Sequence, residues 1–251
     1  MNSRKILITG AAGLIGTAFW SAQIDKLDLR LADIDVHAFP KSTQSVSLDI
    51  RDFSSCLDAC KGIDTVIHLA ADPSPDADFM TSLVPVNIVG TYNMLLAAKT
   101  QGCKRFVFAS SAQAVEGYPQ DLQVHENMAP RPGNLYGASK AFGEALASLY
   151  ANDGQMTTIA VRIANVAEFH PGETHSHRDV AAFISVRDVV ALLRDCVDAD
   201  LNGFHVVHGV SDNRYKRLSI DKTRAIVDYA PSDNGFEILE GRCSQSDQSP
   251  G

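Results

Sequence analysis

The sequence has few cysteines and no excess of positive charge. Its five cysteines show none of the spacings typical of a disulfide framework or a zinc site, and they are Cys56, Cys60, Cys103, Cys196 and Cys243. The formal net charge of −8 disfavours sequence-independent binding to nucleic acid or to an anionic membrane surface. We therefore expect a reduced, cytoplasmic protein with no metal site and with neither nucleic acid nor a membrane as a partner.

Long hydrophobic runs are also missing. No segment approaches the roughly 18 consecutive apolar residues of a membrane span. Met1–Lys5 leads into the strand-like Ile6–Thr9 without the apolar stretch of a signal peptide. At 251 residues and 45% hydrophobic content, the chain suits one α/β domain with a small C-terminal lobe.

Short apolar runs alternate with longer helical patterns, which is typical of βαβ units and a parallel sheet. The predicted strands are Lys5–Thr9, Asp28–Ala32, Ser45–Leu48, Thr65–Ala70, Arg105–Ala109, Thr158–Ile163 and Phe204–Val207. The predicted helices are Leu14–Asp25, Phe53–Ala59, Val84–Thr100, Tyr136–Ala151, Val186–Asp198 and Ile220–Tyr229. Two irregular stretches, 115–133 and 167–182, each follow a predicted strand. They are candidate walls of a ligand site, because ligands lie at the carboxyl ends of parallel strands.

A glycine-rich turn lies between the first predicted strand and the first predicted helix. Glycines in such a turn let backbone amides approach a pyrophosphate, whose charge the helix N-terminus favours. The residues expected to bind it are Gly10, Gly13, Leu14, Ile15 and Gly16. The pattern predicts a dinucleotide site, the alternative being a tight turn with no ligand.

Two aspartates end the next two predicted strands. Asp33 lies about 20 residues beyond the glycines, where a carboxylate binds the ribose hydroxyls of NAD and repels the 2′-phosphate of NADP. Arg30 is expected on the other face of the sheet, where it would not favour NADP. Asp49 and Ile50 are candidates for binding the adenine amino group and the adenine ring. A helix-capping role for Asp33 and a loop-starting role for Asp49 are the alternatives.

Tyr136 and Lys140 lie four residues apart at the beginning of a predicted helix, and therefore on one face of it. An ammonium beside a phenol favours the phenolate and lowers the pKa of a tyrosine from about 10. Such a tyrosine is a general base able to take a proton from an alcohol. The spacing is common by itself, and its position after the glycine-rich turn and Ser110–Ser111 makes it specific.

Taken together, these residues resemble the extended-type short-chain dehydrogenase/reductases, the superfamily of NAD-dependent sugar-nucleotide epimerases and dehydratases. The matching segments are Thr9–Gly16, Val66–Ala70, Asn87–Thr91, Phe106–Ser111 and Tyr136–Lys140. The resemblance implies a Rossmann-type doubly wound parallel sheet and the catalytic set Ser111, Tyr136 and Lys140. It also implies an NAD site whose further lining is Leu69, Ala70, Ala71, Asn87, Ala109, Tyr136, Lys140 and Ile163.

A closer resemblance within this superfamily is to the short sugar 1-dehydrogenases, the uronate dehydrogenase and NAD-dependent glucose-6-phosphate dehydrogenase type. It implies an NAD-binding part at 1–165 and a small substrate-binding portion at 166–240 that completes the same domain. The polar end of the chain, 241–251, is expected to be disordered. In these relatives Asn-His follows the paired serines, whereas this chain has Ala112–Gln113, so the identity of the sugar is open.

The candidate substrate contacts are Ser74, Ser111, Gln113, Tyr136, Asn165 and Arg178. Arg178 matches the arginine that binds the sugar carboxylate in uronate dehydrogenase, and a planar guanidinium grips carboxylate or phosphate. The alternatives are a solvated arginine or an ion pair with Asp179 or Glu173. The histidines of the same loop, His170, His175 and His177, favour polar lid residues over a metal site. His68 and Arg162 are expected to be structural.

The resulting hypothesis is NAD-dependent oxidation of an aldose at C1 to the lactone. The aldose would be a hexuronate or another anionic sugar such as a hexose 6-phosphate. The alternatives are a nucleotide-sugar epimerase or dehydratase with tightly bound NAD, and a non-catalytic NAD-binding regulator. Two apolar faces are consistent with a homodimer and equally with packing inside one subunit: Met94, Leu95 and Ala98 on one helix, and Phe142, Ala145 and Leu149 on another.

Overall fold

The computed structural model describes residues 4–37 and 39–242, and within them nine strands and eight helices follow one another. The strands are β1 Lys5–Thr9, β2 Asp28–Asp33, β3 Gln44–Ser47, β4 Thr65–His68, β5 Arg105–Ser111, β6 Thr157–Ile163, β7 Asn165–Val166, β8 Phe183–Ile184 and β9 Phe204–Gly209. The helices are α1 Leu14–Gln23, α2 Phe53–Ala59, α3 Phe79–Thr100, α4 Leu135–Ala151, α5 His177–Ala181, α6 Val186–Asp198, α7 Asp221–Val227 and α8 Gly235–Leu239.

Seven strands form one parallel sheet in the order β3-β2-β1-β4-β5-β6-β9. The direction in which strands are added reverses between β1 and β4, and this is where ligands bind in open parallel sheets. β7 and β8 form a separate parallel pair. The predicted Rossmann-type, doubly wound sheet is confirmed.

Helices cover both faces of the sheet. The side chains of its central strands are therefore shielded from water. β4 and β6 are buried along their whole length. One apolar layer contains Phe19 and Leu192, and the layer on the opposite face contains Met94 and Phe106. Parallel sheets occur with both faces covered in this way, and their strands accordingly have continuous apolar runs rather than alternation.

Helix α3 begins earlier than the sequence predicts. The expected start was Val84, whereas the helix begins at Phe79, after Asp78 accepts the N–H of Thr81 at 2.8 Å. Its first part, Phe79–Gly90, is a π-helix that contains Pro85. Proline has no N–H to donate and normally disfavours a helix interior, so the sequence pattern pointed to a start near the proline.

By length and composition alone, α3 is also able to cross a membrane, contrary to the expectation that no segment approaches a span. Its most apolar 18-residue window has a mean hydropathy of 1.3, and 39% of that window is buried. The buried residues include Met94 and Leu95, which pack in the core layer with Phe106 on β5. In this structure α3 is therefore a helix that covers the sheet.

The C-terminal portion contributes a strand to the main sheet, because β9 pairs with β6 in parallel. Four small elements that the sequence did not predict, β7, α5, β8 and α8, lie around it. The predicted helix Ile220–Tyr229 is shorter, since it ends before Asp228, whose φ of 58° is left-handed. Most of the tail expected to be disordered, from residue 243 onward, lies outside the described residues.

Candidate active site

A cavity of about 1040 Å³ opens at the carboxyl end of the main sheet. Its lining includes most of the residues expected from the sequence: Gly10, Gly13, Leu14, Ile15, Gly16, Asp33, Asp49, Ile50, Leu69, Ala70, Ala71, Ala109, Ser111, Gln113, Tyr136, Lys140, Ile163, Asn165 and Arg178. Two expected contacts, Asn87 and Ser74, are not part of the lining. One cavity therefore joins the glycine-rich turn to the Ser-Tyr-Lys set.

The glycine-rich turn is packed so closely that side chains are excluded from it. Gly10 has a φ of 70°, and a Cβ built on it would lie 2.6 Å from the backbone nitrogen of Ala70. A Cβ on Gly16 would lie 2.3 Å from the carbonyl oxygen of Gly10. Gly13 precedes α1 without a side-chain cap, so no side chain satisfies the first amides of the helix. This arrangement fits the pyrophosphate of a dinucleotide, which takes the place of a cap.

Asp33 lies at the end of β2, on the rim of the cavity. Its Oδ2 accepts the N–H of Ala12 at 2.9 Å, which ties it to the glycine-rich turn. Arg30 points to the other side, as expected, and donates to the carbonyl oxygens of Ala59 and Lys61 at 2.7 and 2.9 Å. Arg30 therefore does not stand beside Asp33, whose carboxylate lines the cavity next to the glycine-rich turn.

The adenine end of the cavity contains an ion pair that the sequence analysis missed. Arg51 binds Asp49 through two nitrogens, and its hydrogen bonds are the largest cause of the lowered pKa of Asp49. Ile50 is buried, and its carbonyl oxygen accepts from Asn93 at 2.9 Å. Arg51 lines the cavity next to Asp49, so the carboxylate already has a partner there.

Asn87 lies behind the cavity wall and supports the loop after β4. Its side chain accepts the N–H of Asp72 at 2.8 Å and donates to the carbonyl oxygen of Asp72 at 3.0 Å. It also donates to the hydroxyl of Ser139 on α4 at 3.2 Å. In the structure Asn87 thus occupies a supporting position behind the cavity wall, and its contact with the cofactor stays a prediction.

The loop after β4 also decides the position of Ser74. The Ser74 N–H donates to Asp72 Oδ1 at 3.0 Å, and its hydroxyl accepts the N–H of Asp76 at 3.3 Å. The neighbouring Pro73 and Pro75 line the cavity instead. The Ser74 hydroxyl thus accepts a local turn bond and keeps its own O–H to donate, and its contact with the sugar stays a prediction.

Ser111, Tyr136 and Lys140 meet at the middle of the cavity. Ser111 ends β5, and the other two lie one turn apart at the beginning of α4, whose N-terminus Asn134 caps. The Lys140 ammonium donates to the carbonyl oxygen of Ala109 at 2.8 Å and lies 5.6 Å from the centre of the Tyr136 ring. Burial lowers the pKa of Lys140 to about 8.

The pKa of Tyr136 is raised above its ordinary value, contrary to the sequence-based expectation. Burial is the largest cause, the side chain of Ser111 acts in the opposite direction, and the charge of Asp72 raises the pKa further. Lys140 does not lower it here, because its ammonium is held at the Ala109 carbonyl and lies over the ring rather than at the hydroxyl. In this structure the phenol therefore keeps its proton at neutral pH.

Behind the reacting groups, buried polar contacts hold β5, β6 and α4 together. Ser110, the other member of the serine pair, donates to Glu144 on α4 at 2.6 Å. Glu144 also binds Arg162 on β6 through two bonds of 2.8 Å, and both side chains are at most 5% exposed. His68 bonds to the Thr9 hydroxyl at 2.7 Å, and burial lowers its pKa to about 3. The structural roles expected for His68 and Arg162 are confirmed.

A short relay orients Gln113. The Asn134 Oδ1 accepts the N–H of Gly137 at 2.7 Å, so its Nδ2 is the donor in the second contact, 3.0 Å from Gln113 Oε1. The acceptor of Gln113 is therefore occupied, and its Nε2 is the group with hydrogens left to donate. Because Gln113 lines the cavity two residues after Ser111, this amide presents donors to a ligand.

Arg178, at the beginning of α5, reaches the same end of the cavity. Its Nε and Nη2 bind Glu116 at 3.1 and 2.9 Å, and its Nη1 binds Asp179 at 2.9 Å. The ion pair with Asp179 was one of the stated alternatives, whereas that with Glu173 does not form. Glu116 is the functional residue that the sequence analysis missed, since a charge 62 residues away gives no local signal.

The histidine-containing loop before α5 has local contacts. Glu173 binds His175 at 3.1 Å and accepts the N–H of His170 at 2.9 Å. The His175 ring stacks on Phe169 with 4.1 Å between ring centres. Among residues 4–37 and 39–242, no group of three His, Cys, Asp or Glu side chains is placed to hold a metal ion.

A parallel sheet with a glycine-rich βα turn, an acidic residue after β2 and a Ser-Tyr-Lys set in one cavity defines a dinucleotide-binding oxidoreductase of the Rossmann type. The chain belongs to the NAD dependent epimerase/dehydratase family, whose sequence model matches residues 6–191. The family expected from the sequence is thereby confirmed.

Several characterised proteins are similar over nearly the whole chain. The NAD-dependent glucose-6-phosphate dehydrogenase of Haloferax volcanii is 37% identical over 94% of this chain and 95% of its own length. The L-arabinose 1-dehydrogenase (NAD(P)(+)) of the same organism is 33% identical over 94% and 99%. The crystal structure of uronate dehydrogenase from Agrobacterium tumefaciens matches with a TM-score of 0.86 at 28% identity, covering 100% of this chain and 91% of that one.

Proposed function

We propose that this protein oxidises an aldose at C1 to the lactone, with NAD as the hydride acceptor. The observation that carries the proposal is the single cavity in which the dinucleotide turn, the Ser-Tyr-Lys set and Arg178 meet. Relatives named for NAD-dependent oxidation of glucose 6-phosphate and of uronates support it, as does a mutant of the Agrobacterium uronate dehydrogenase that was solved in complex with NAD.

The residues of the set divide the chemistry between them. Tyr136 Oη takes the proton of the C1 hydroxyl as general base, and the Ser111 hydroxyl donates to the same oxygen and positions it. Bound NAD would supply the hydride acceptor and a positively charged ring. In the structure the Lys140 ammonium is held at the Ala109 carbonyl and lies over the Tyr136 ring, so it would stabilise the negative charge of the phenolate only after it moves toward the hydroxyl.

Proton loss from Tyr136 must overcome the burial that raises its pKa. The buried Lys140 contributes in proportion to its own protonated fraction, which falls above its pKa of about 8. The Ser111 side chain also lowers the pKa of Tyr136.

Three side chains at the sugar end are proposed to bind the rest of the substrate. Gln113 donates from Nε2, Asn165 on β7 lines the same wall, and Arg178 offers the guanidinium nitrogens that its carboxylate partners leave free. An anionic aldose, a hexuronate or a hexose 6-phosphate, is the proposed substrate class. Guanidinium groups recognise both anions in bidentate fashion.

A nucleotide-sugar epimerase is the competing function within the same family. It is less supported, because sequence matches to relatives named as epimerases cover smaller parts of the chain. The match to an Escherichia coli 4-epimerase covers 56% of this chain and 41% of the epimerase. The test is to mix the protein, NAD and a panel of free sugars, uronates and sugar phosphates and to record NADH absorbance. Net NADH supports the dehydrogenase, whereas a sugar interconversion without NADH would favour the epimerase.

We also propose a homodimer through the exposed faces of α3 and α4. Met94, Leu95 and Ala98 are fully buried inside the subunit, which is one of the two alternatives that the sequence left open. The large exposed apolar residues on these helices are Phe79, Met80, Val89 and Tyr92 on α3 and Leu135, Phe142 and Leu149 on α4, with Leu149 61% exposed. Light scattering should give twice the subunit mass, Leu149→Glu should lower it, and Leu122→Glu at an exposed site outside the two helices should not. The cytoplasmic location stays a prediction.

A further inference from the structure

The surroundings of Arg178 differ from those of a free anion-binding arginine. A guanidinium has five N–H donors. In Arg178, Nε donates to Glu116 at 3.1 Å and Nη1 donates to Asp179 at 2.9 Å. Nη2 lies 2.9 Å from Glu116 Oε2 in the same ion pair, although that oxygen accepts no hydrogen bond. Two donors directed away from the carboxylates, one on each terminal nitrogen, remain for a ligand, while the positive charge is already balanced.

Glu116 is itself held in place by the C-terminal portion of the chain. Arg217 Nε lies 3.7 Å from Glu116 Oε1, and the Arg217 side chain is only 2% exposed. The Arg217 guanidinium donates to the carbonyl oxygens of Tyr118 at 2.9 Å and Pro119 at 2.8 Å, and it also donates to that of Leu122. These bonds hold the backbone of the loop that follows Glu116.

The charges of this cluster cancel. Arg178 and Arg217 are balanced by Glu116 and Asp179, so the end of the cavity next to Arg178 has no net positive charge. An incoming carboxylate or phosphate must therefore compete with Glu116 for the guanidinium, whereas a sugar hydroxyl can use the two remaining donors without that competition.

We propose that Glu116 is a positioning residue that sets the charge preference of the sugar site, because it holds Arg178 in a bidentate ion pair and offsets its charge. The inference rests on the proposed sugar dehydrogenase function and adds which substrates the site favours. With Glu116 present, the preference of the site for anionic over neutral aldoses is reduced. Without its charge, the same arginine favours anionic aldoses strongly.

The test is Glu116→Gln, which keeps the size and one acceptor and removes the charge. The ratio of kcat/KM for D-glucuronate to that for D-glucose should rise at least about tenfold, mainly through a lower KM for the anion. Glu173→Gln is the matched control, because Glu173 contacts His175 and the His170 backbone instead of Arg178. That variant should leave the ratio within about twofold.

A double-mutant cycle shows whether Glu116 acts through the arginine. In an Arg178→Gln background, Glu116→Gln should change the ratio less than twofold. A gain that persists there would mean that Glu116 repels the anion directly, and it would overturn the proposal. If Glu116→Gln melts at a much lower temperature than the wild type, Asp179→Asn is the second variant. It should raise the ratio of kcat/KM for D-glucuronate to that for D-glucose in the same direction, but less.

Binding measurements separate a failure of this inference from a failure of the proposed function. Calorimetric titration of NADH-loaded protein with D-glucuronate needs no turnover, and Glu116→Gln should bind the anion about tenfold more tightly than the wild type. Absence of NADH formation from every sugar in the panel would refute the dehydrogenase function alone. Turnover with an unchanged ratio and unchanged glucuronate affinity in Glu116→Gln would refute the role of Glu116 alone.

Discussion

The two ends of the cavity are built in different ways. The part of the cavity that fits the pyrophosphate consists of backbone and small residues from one continuous stretch, in which Gly10 and Gly16 leave no room for a Cβ. The sugar end consists of side chains from segments far apart in the chain, including Ser111, Tyr136 and Arg178. The first end is shaped by steric exclusion and the second by hydrogen bonds between side chains.

This difference has a chemical consequence. A site made of backbone amides binds a feature common to all dinucleotides, the pyrophosphate, and mutation of a single side chain affects it little. A site made of side chains distinguishes substrates, but each polar group must be satisfied while the site is empty. Gln113 is satisfied by Asn134 and Arg178 by Glu116. Substrate preference at this end is therefore set by these supporting partners as well as by the contacting residues.

The largest expected effect is at the sugar end. Tyr136→Phe should reduce kcat at least about a hundredfold, since a positioned general base contributes 10²- to 10⁴-fold. NAD affinity should stay within about threefold, because the ring and its packing remain. Tyr150→Phe, on the same helix, is the control and should keep full activity. Retention of more than a tenth of the wild-type kcat by Tyr136→Phe would assign the proton transfer to another group.

The next effect concerns the nucleotide end. Asp33→Ser should narrow the preference for NAD over NADP by about 10- to 100-fold, because the carboxylate no longer repels the 2′-phosphate. The comparison is kcat/KM for each cofactor at one sugar concentration, with Asp35→Ser as a control on the same rim. Equal use of both cofactors by the wild-type protein would contradict the role of Asp33.

The same contrast explains what could be predicted from the sequence. The nucleotide end was predicted almost completely, because its elements are consecutive: a strand, three glycines at fixed spacing and Asp33 after the next strand. The doubly wound parallel sheet and the Ser-Tyr-Lys set were expected from a family resemblance that rests on such local patterns, whereas the order of the strands was not predicted. Arg51 was missed although it lies two residues from Asp49, since an exposed arginine carries no pattern of its own.

The sugar end could be predicted only in part. Glu116 and Arg178 are 62 residues apart, and Asn134 and Gln113 are 21 apart, so their pairing depends on how two loops pack. The pKa of Tyr136 was expected to fall because the spacing to Lys140 is visible in the sequence. The burial that raises it instead is a property of the folded cavity.

A third prediction concerns the stability cost of the catalytic lysine. The pKa of Lys140 falls from 10.5 to about 8 in the fold, which corresponds to about 3 kcal/mol against the folded state at neutral pH. Lys140→Met removes this penalty and one hydrogen bond, so it should raise the free energy of unfolding by about 1–2 kcal/mol and abolish activity.

The stability difference between Lys140→Met and the wild type should depend on pH. The folded protein binds fewer protons at Lys140 than the unfolded chain between the two pKa values. The penalty is therefore complete below about pH 8 and disappears as the pH rises toward 10.5. Urea unfolding should show that the difference in free energy of unfolding between Lys140→Met and the wild type is smaller at pH 10 than at pH 7. A gap that widens with pH would contradict the assigned pKa.

The smallest expected effect is on the KM for the sugar in variants of Gln113. Gln113→Leu removes the donor to the substrate and leaves Asn134 Nδ2 without its acceptor, so KM for the sugar should rise about five- to tenfold with kcat changed less. Gln113→Glu keeps the acceptor for Asn134 and replaces the donor with a carboxylate oxygen, so it should weaken anionic sugars more than neutral ones. Gln123→Leu, whose amide bonds to the Lys216 carbonyl outside the cavity, is the control. If Gln113→Leu keeps the wild-type KM, the Nε2 group of Gln113 does not contact the substrate. Arg178 and Asn165 then bind the sugar without it.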